Sequence, residues 1–409
     1  MAITDKKTGV WGLDQTFNKI NQGSIWGYAG ALAERTQLYV WGGNPDGQLG
    51  QNNQGGWSEY LTAQSSPIQI PGDWAQIASG GTTTGGVKTD GTLWIWGGNN
   101  YGEAGQNNAT YGYSSPVQIP GTSWSSLFVD RQHSWAIRTD GTFWAWGRNE
   151  YGQLGQNNTT AYSSPTQIPG DWSKMESSNY NTVGLKSNGT LWAWGSNQYG
   201  QLAQNTSGEG GSSSLRYSSP VQIPGTSWSD CAAFYYGAAA IRTDGTLWTW
   251  GFNGNGICGV NNAAPIMYSS PVQVPGTNWS KLGNNYHNLF GIKTDGTLWA
   301  WGSDSYGALG QLTRNQRRSS PVQIPGTTWR HIDGNGPSTM RATKTDGTLW
   351  AWGVNEAGEN GQNDRGGYDG LYGPLLARSS PVQIPGAWRI DNIRMGGGGG
   401  GRVQAALKS

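Results

Sequence analysis

From Lys293 to Trp301 the chain reads Lys-Thr-Asp-Gly-Thr-Leu-Trp-Ala-Trp, two β-prone runs around an Asp-Gly pair. Asp-Gly is a favoured two-residue connection between antiparallel strands, so this stretch predicts a hairpin. Upstream, Ser-Pro-Val-Gln-Val from Ser270 and a run from Trp279 form two more short apolar segments. A Pro-Gly turn and an Asn-rich break separate them, which is turn punctuation. Ser270 to Asp304 therefore predicts a unit of four antiparallel strands, and no repeated segment sustains a capped helical period.

The unit recurs along the chain. A Trp-x-Trp-Gly element, with Tyr39 replacing the first Trp of the first copy, has its second Trp at 41, 96, 146, 194, 250, 301 and 352. A Ser-Ser-Pro-Val-Gln-Ile-Pro-Gly element, with small variations, carries Pro67, Pro116, Pro165, Pro220, Pro271, Pro321 and Pro381. Units of about 50 residues that each supply four strands predict an all-β fold, a seven-bladed β-propeller. The last copy, Ser380–Ser409, ends where a Trp-x-Trp-Gly strand is due, and Gln37–Gly42 supplies that strand at the other end. The expectation is a propeller over residues 36–409 with six continuous blades. The seventh would take three strands from the C-terminal side and one from the N-terminal side, which removes two open sheet edges. An eighth blade using Thr8 to Gly12 is the less economical arrangement.

Residues 1–35 fall outside this pattern and read as an N-terminal arm. Asp14 can cap a short helix there, with Leu13, Phe17 and Ile20 on one face beside Trp11. These four are candidate docking residues, because so short a helix needs a surface to pack against.

Composition narrows the function. The 409 residues include 67 Gly and 24 Trp but only 12% charged residues, against about 25% charged in an ordinary domain. The formal net charge of +1, with no basic tail, gives no reason to expect nucleic-acid binding. No apolar run is long enough for a membrane span or a secretory signal, so neither membrane insertion nor secretion by a signal peptide is expected. Of the 24 Trp, 20 belong to the repeats, 13 in Trp-x-Trp-Gly and 7 after the Pro-Gly turn. They read as filler between blades. Trp11, Trp26, Trp57 and Trp135 stay open as surface contacts.

Catalytic chemistry finds little support. His133, His287 and His331 lie in different repeats, and Cys231 and Cys258 are too few for a thiolate metal site. The Gly-rich copies such as Asn149 to Gly155 lack the spacing and following helix of a dinucleotide loop. No catalytic residue, cofactor or metal is assigned. Strands and turns repeat closely, whereas the connection before each Ser-Ser-Pro varies in length and content. Alternating strand direction puts these connections and the Asn-rich breaks on one face, a plausible scheme for building binding surfaces. Candidate interaction residues there are Trp57, Tyr60, Tyr111, Arg216, Tyr217, Arg317, Arg318, Tyr368 and Tyr372.

The stretches Gly283 to Gly310 and Thr139 to Gly155 closely resemble repeats of the regulator of chromosome condensation family. The resemblance covers about residues 36 to 409 and implies a seven-bladed propeller closed by strands from both termini. Members of that family act as nucleotide exchange factors or as protein-binding inhibitors. The near-identical repeats and the leading Thr8 to Asp14 segment are also similar to phage proteins of this family. That similarity implies a non-enzymatic virion protein, structural or for host adsorption, made in the host cytoplasm. Its arm would bind other virion proteins and its loops a host receptor or glycan. A soluble protein-binding propeller and a lectin are the alternatives.

Overall fold

A computed structural model describes residues 36–408 apart from 55–61, 111, 131, 179, 209–214, 263, 336–338, 365–376, 387, 390–392 and 396–402. The described strands form seven sheets, each holding the four antiparallel strands of one blade, arranged as a propeller. Blade 1 runs Trp74–Ser79, Thr83–Lys88, Leu93–Gly97 and Tyr113–Ile119, from the inner strand to the outer. Blades 2 to 6 repeat that order from Trp124, Trp172, Trp228, Trp279 and Trp329. Blade 7 pairs Gln64–Ile70, Gln37–Gly42, Val403–Lys408 and Trp388–Arg389, in that order from the outside. Both ends of the chain thus close the ring, as the repeats predict.

The partition of that blade corrects the sequence-based one, since it is two strands from each end and not three plus one. The reason lies in the pairing. Each Ser-Ser-Pro strand bonds back to the Trp-x-Trp-Gly strand before it, as in Leu298↔Ile324 and Ala300↔Val322. The Pro-Gly turn then crosses to the inner strand of the next blade. The proline costs no ladder bond, because it lies on the outermost strand at an irregularity of register, between Val221 and Tyr217 in blade 3. The stretch after Trp388 also divides. Trp388–Arg389 pairs with Val403–Lys408, whereas Ile393–Met395 runs parallel to Ile77–Ser79 and adds a fifth strand to the sheet of blade 1.

Blades adhere through repeated contacts. The second Trp of each Trp-x-Trp-Gly strand is fully buried, and its indole N–H donates to a backbone carbonyl of the preceding blade's Gly-rich connection. Examples are Trp146 Nε1 to Glu103 O at 2.8 Å, Trp194 to Gln153 O at 2.8 Å and Trp41 to Glu359 O at 2.9 Å. The same connection packs its glycine on the next outer strand. A Cβ on Gly152, where φ is +78°, would sit 2.5 Å from Ser218 Cα, so no other residue fits. Inner strands interlock as well: Gln76 exchanges two hydrogen bonds with the Leu127 backbone of the neighbouring blade, at 2.8 and 2.9 Å.

Trp135 corrects the expectation of a surface contact. It is 2% exposed, because its place in the second strand of blade 2 faces the adjoining blade, where other repeats have Gly85, Val183, Ala239 and Phe290. The equivalent residue in blade 6 is Arg341, buried, with Nη1 donating to Ala405 O across the closing seam at 2.5 Å. Burial lowers the pKa of its guanidinium to about 10.

Candidate functional site

The Pro-Gly and Asp-Gly turns lie on one face of the ring, and the breaks and long connections lie on the other. On that second face, blades 2 to 5 bring together a run of rings. Tyr180 comes from the break of blade 3, Tyr235 and Tyr236 from blade 4, and Tyr286 and His287 from blade 5. Tyr151 and Tyr199 come from the Gly-rich connections of blades 2 and 3, and Phe252 ends the third strand of blade 4. Ring centres are 5.0 Å apart for Tyr151–Tyr180, 5.3 Å for Tyr180–Tyr235, 4.1 Å for Tyr235–Tyr236 and 4.7 Å for Tyr235–Tyr286. Tyr199 continues the run to Tyr236 at 4.4 Å and to Phe252 at 5.3 Å. Most are edge-on or tilted, the arrangement that aromatic quadrupoles favour. Each of these rings is half-buried.

The platform is uncharged. Burial pushes the Tyr235 hydroxyl up to about 12 and raises that of Tyr236, while burial lowers the His287 pKa. The Tyr180 and Tyr235 hydroxyls share a hydrogen bond at 3.2 Å. Charge enters at one edge, where Arg148 pairs with Glu150 at 2.6 Å and lies over the rings of Tyr101 and Tyr151. Arg216 joins this edge, with Nη1 donating to Glu150 O at 3.1 Å.

Of the sequence candidates, the structure thus brings Arg216 to the platform. Tyr217 is half-buried next to it in the outer strand of blade 3. Arg317 is exposed and Arg318 donates to Gln316 Oε1 at 3.0 Å, both on the outer strand of blade 5. Trp57, Tyr60, Tyr111, Tyr368 and Tyr372 lie outside the described residues, as do Trp11, Leu13, Phe17 and Ile20 of the arm. The platform tyrosines were missed because the loops that carry them differ in sequence between repeats, although Tyr151 matches Tyr199, Tyr180 matches Tyr236 and Tyr235 matches Tyr286 in position. The visible signal was the recurrence of Tyr before Gly at Tyr101, Tyr151, Tyr199 and Tyr306, together with aromatic breaks.

At the channel axis, inner strands enclose a cavity of about 70 Å³ lined by Phe128, Met175, Cys231, Leu282, His331 and Asp333 among others. Its charges are internally matched. Lys174 Nζ contacts Asp230 Oδ1 at 2.5 Å and Glu176 at 3.2 Å, while Asp230 Oδ2 accepts from the Leu282 backbone at 2.9 Å. Three consecutive blades are thereby tied, and the carboxylates are committed to structure. His133 is buried against Trp135, with ring centres 4.2 Å apart, and desolvation lowers its pKa to about 3. Burial pushes the Cys258 thiol up to about 12, which makes a thiolate nucleophile unavailable there. Among the described residues, no group of three or more His, Cys, Asp or Glu is placed to hold a metal ion.

Known proteins share this architecture. The chain is 26% identical over 359 residues to the RCC1 domain-containing protein RUG3, mitochondrial, of Arabidopsis thaliana, which covers 78% of this chain and 77% of that protein. The Saccharomyces cerevisiae propeller Prp20p superposes with a TM-score of 0.74 at 18% identity, covering 92% of each chain. Human WBSCR16 gives a TM-score of 0.74 at 17% identity, over 91% of this chain and 99% of that one. A mitochondrial plant protein as sequence relative overturns the expectation of a virion location. The family model of the RCC1-like domain matches residues 37–401, and the chain belongs to that family.

Proposed function

We propose that the chain is a non-enzymatic protein-binding propeller whose aromatic platform docks a protein partner. The observation that carries this reading is the continuous, uncharged run from Tyr151 through Tyr180, Tyr235 and Tyr236 to Tyr199 and Tyr286. Tyrosine offers a large rigid contact area with a polar tip, and it is enriched where protein interfaces hold most of their energy. Arg148 and Arg216 at the edge add donors of the type found in such hot spots. The Prp20p structure was described together with that protein's binding properties to Gsp1p and histones, which supports protein binding as a use of this fold.

The test is affinity capture with the intact chain and with the double variant Tyr235→Ala, Tyr286→Ala, both checked for equal melting temperature. Capture of a stoichiometric protein by the intact chain, with retention lost by about tenfold or more in the variant, is the expected result. A partner held equally by both would place binding elsewhere and overturn the reading.

A further inference from the structure

Each Gly-rich connection has a residue with left-handed backbone two positions after its last turn glycine or alanine. In six of the seven it is asparagine, at Asn52, Asn107, Asn157, Asn205, Asn261 and Asn363, with φ of +57 or +58°. Asparagine suits that backbone, because its short polar side chain finds hydrogen bonds nearby. Here it also ties neighbouring blades. Each of these Oδ1 atoms accepts from a serine on the next outer strand at 2.9 to 3.3 Å, as Asn157 does from Ser219 and Asn261 from Ser320.

The connection of blade 5 departs from this pattern with Leu312. Its φ is +61° and its N–H still donates to Ser379 O at 2.7 Å, so the turn itself is kept. A leucine cannot accept from Ser380, and bulky residues avoid this backbone. Leu312 is also 76% exposed, so neither bonding nor burial within the chain offsets the strain. Strain held without local compensation points to a functional contact.

The charge around Leu312 is one-sided. From Gly245 to Ile332 the sequence holds Lys281, Lys293, Arg314, Arg317, Arg318 and Arg330 but only two acids, Asp295 and Asp304. Asp295 sits in an Asp-Gly turn on the opposite face. Asp304 is buried, where it accepts from the Leu309 backbone at 3.1 Å and from Thr313 Oγ1 at 2.6 Å. On the connection face this stretch therefore presents Arg314 and Arg317 exposed and Arg318 half-buried, with no exposed carboxylate. Arg314 Nη2 donates to Ala377 O at 2.5 Å and Arg318 Nη2 to Gln316 Oε1 at 3.0 Å, each contact using one of the five donors of a guanidinium.

Apolar surface adjoins these cations. Among the described residues the exposed large hydrophobics are Leu312, Ile266 and Met267, the last two at 39 and 40% where the connection of blade 4 enters its outer strand. That connection abuts the outer strand of blade 5, with Asn261 N donating to Ser319 O at 2.7 Å beside Arg318. Met267 and Arg317 hold equivalent places in adjacent blades, opposite Phe252 and Ser303.

We propose that this rim of blades 4 and 5 docks an acidic segment of a partner protein, whose carboxylates pair with Arg314, Arg317 and Arg318 and whose apolar side chains cover Leu312, Ile266 and Met267. Guanidinium forks match carboxylates in shape and charge. Leucine, isoleucine and methionine, where a single strand of nucleic acid would want stacking aromatics, favour a protein. Residues 1–35 of the chain itself, with four bases against three acids, lack the charge to fill the surface. The surface needs nothing from the platform tyrosines and goes beyond the reading built on them.

The test titrates the intact chain, labelled with ¹³C at its Leu and Met methyl groups, with the peptide acetyl-Asp-Glu-Leu-Asp-Asp-Leu-Glu-Asp-amide. Saturable shifts are expected at Leu312 and Met267, each assigned by its loss in Leu312→Asn or Met267→Gln. The same peptide with Asn and Gln for Asp and Glu gives none. The pair Arg317→Gln, Arg318→Gln weakens the acidic peptide about tenfold. Leu312→Asn restores the residue of the other repeats, so its melting temperature rises while affinity, read at Met267, falls about tenfold. A leucine with a purely structural role would not give these opposite signs. Tyr235→Ala with Tyr286→Ala leaves the peptide's affinity unchanged, which separates this surface from the platform. No saturable shift, equal binding of the amide peptide, tighter binding of oligothymidylate, or unchanged affinity in Leu312→Asn would each overturn the proposal.

Discussion

Glu103 stands where three other repeats place Gln48, Gln153 and Gln201, and it caps its own turn in the same way. Its Oε2 accepts from the Tyr101 backbone at 2.7 Å, as Gln153 Oε1 accepts from Tyr151 at 3.0 Å. The carboxyl, unlike the amide, is ionisable, and burial raises its pKa from 4.5 to about 7. A raised carboxyl keeps in the folded chain a proton that the unfolded chain releases, so stability is lost as pH rises from 4.5 through 7. Glu103→Gln removes this term and restores the repeat's own residue. The variant should be more stable than the parent above pH 7 by roughly 3 kcal/mol, with the difference vanishing below pH 4.5, as read from urea unfolding at both ends. Equal stability at high pH would mean that the carboxylate is solvated in place. Such single departures from a repeat are legible as differences, but their sign is not. Trp135 departs too, and a sequence cannot tell whether an unpatterned Trp faces solvent or the next blade.

At the scale of the element, six of the seven Trp-x-Trp-Gly strands carry two indoles with different duties, the seventh having Tyr39 in the first place. The second is sealed between blades, with Trp194 Nε1 donating to Gln153 O. The first is half-buried, and Trp192 Nε1 donates to Thr190 Oγ1 within its own hairpin at 3.0 Å. Replacing indole by phenyl keeps most of the apolar area and removes the donor. Trp194→Phe removes one of the two hydrogen bonds to the buried Gln153 carbonyl, leaving that from Thr182 Oγ1 at 2.9 Å, and should cost about 2 to 4 kcal/mol with the lost volume, whereas Trp192→Phe should cost under about 1.5 kcal/mol. Chemical denaturation of the two variants checks this, and equal losses would refute the division. The strands, turns and sevenfold count were legible because the repeat states them seven times. The blade boundary was not, because repetition gives a period without a phase. Only the pairing of Leu298 with Ile324 shows that the Ser-Ser-Pro strand ends a blade and does not begin one. The platform was illegible for a related reason: its rings come from two different loops of each repeat, and only the folded ring brings Tyr151, Tyr180 and Tyr235 together.

For the whole molecule, the ring turns local contacts into one cooperative object, and the closing blade is where that dependence is concentrated. Val403–Lys408 pairs with Gln37–Gly42 along six residues and, on its other side, with Trp388 and Arg389. It also buries Val403, Ala405, Ala406 and Leu407 in a core shared with Trp41 and Trp388, and Ala405 O accepts from the buried Arg341 of blade 6. Deleting residues 402–409 removes this strand from the middle of a sheet and exposes two new edges. It also strands the Arg341 guanidinium, and breaking a buried charged contact on one side alone typically costs about 3 to 5 kcal/mol. The melting temperature should fall by at least about 10 °C, and the van't Hoff enthalpy should drop below the calorimetric one as blades near the seam unfold separately. A synthetic peptide of residues 402–409 added in excess should recover part of the loss by refilling the gap, because it binds the folded ring and not the unfolded chain. A scrambled peptide cannot return the side chains that fill both buried faces, Val403, Ala405 and Leu407 on one and Gln404 and Ala406 on the other, and should recover nothing. An unchanged melting curve for the truncated chain would mean that blade-to-blade packing alone holds the ring, with the closure merely decorating it.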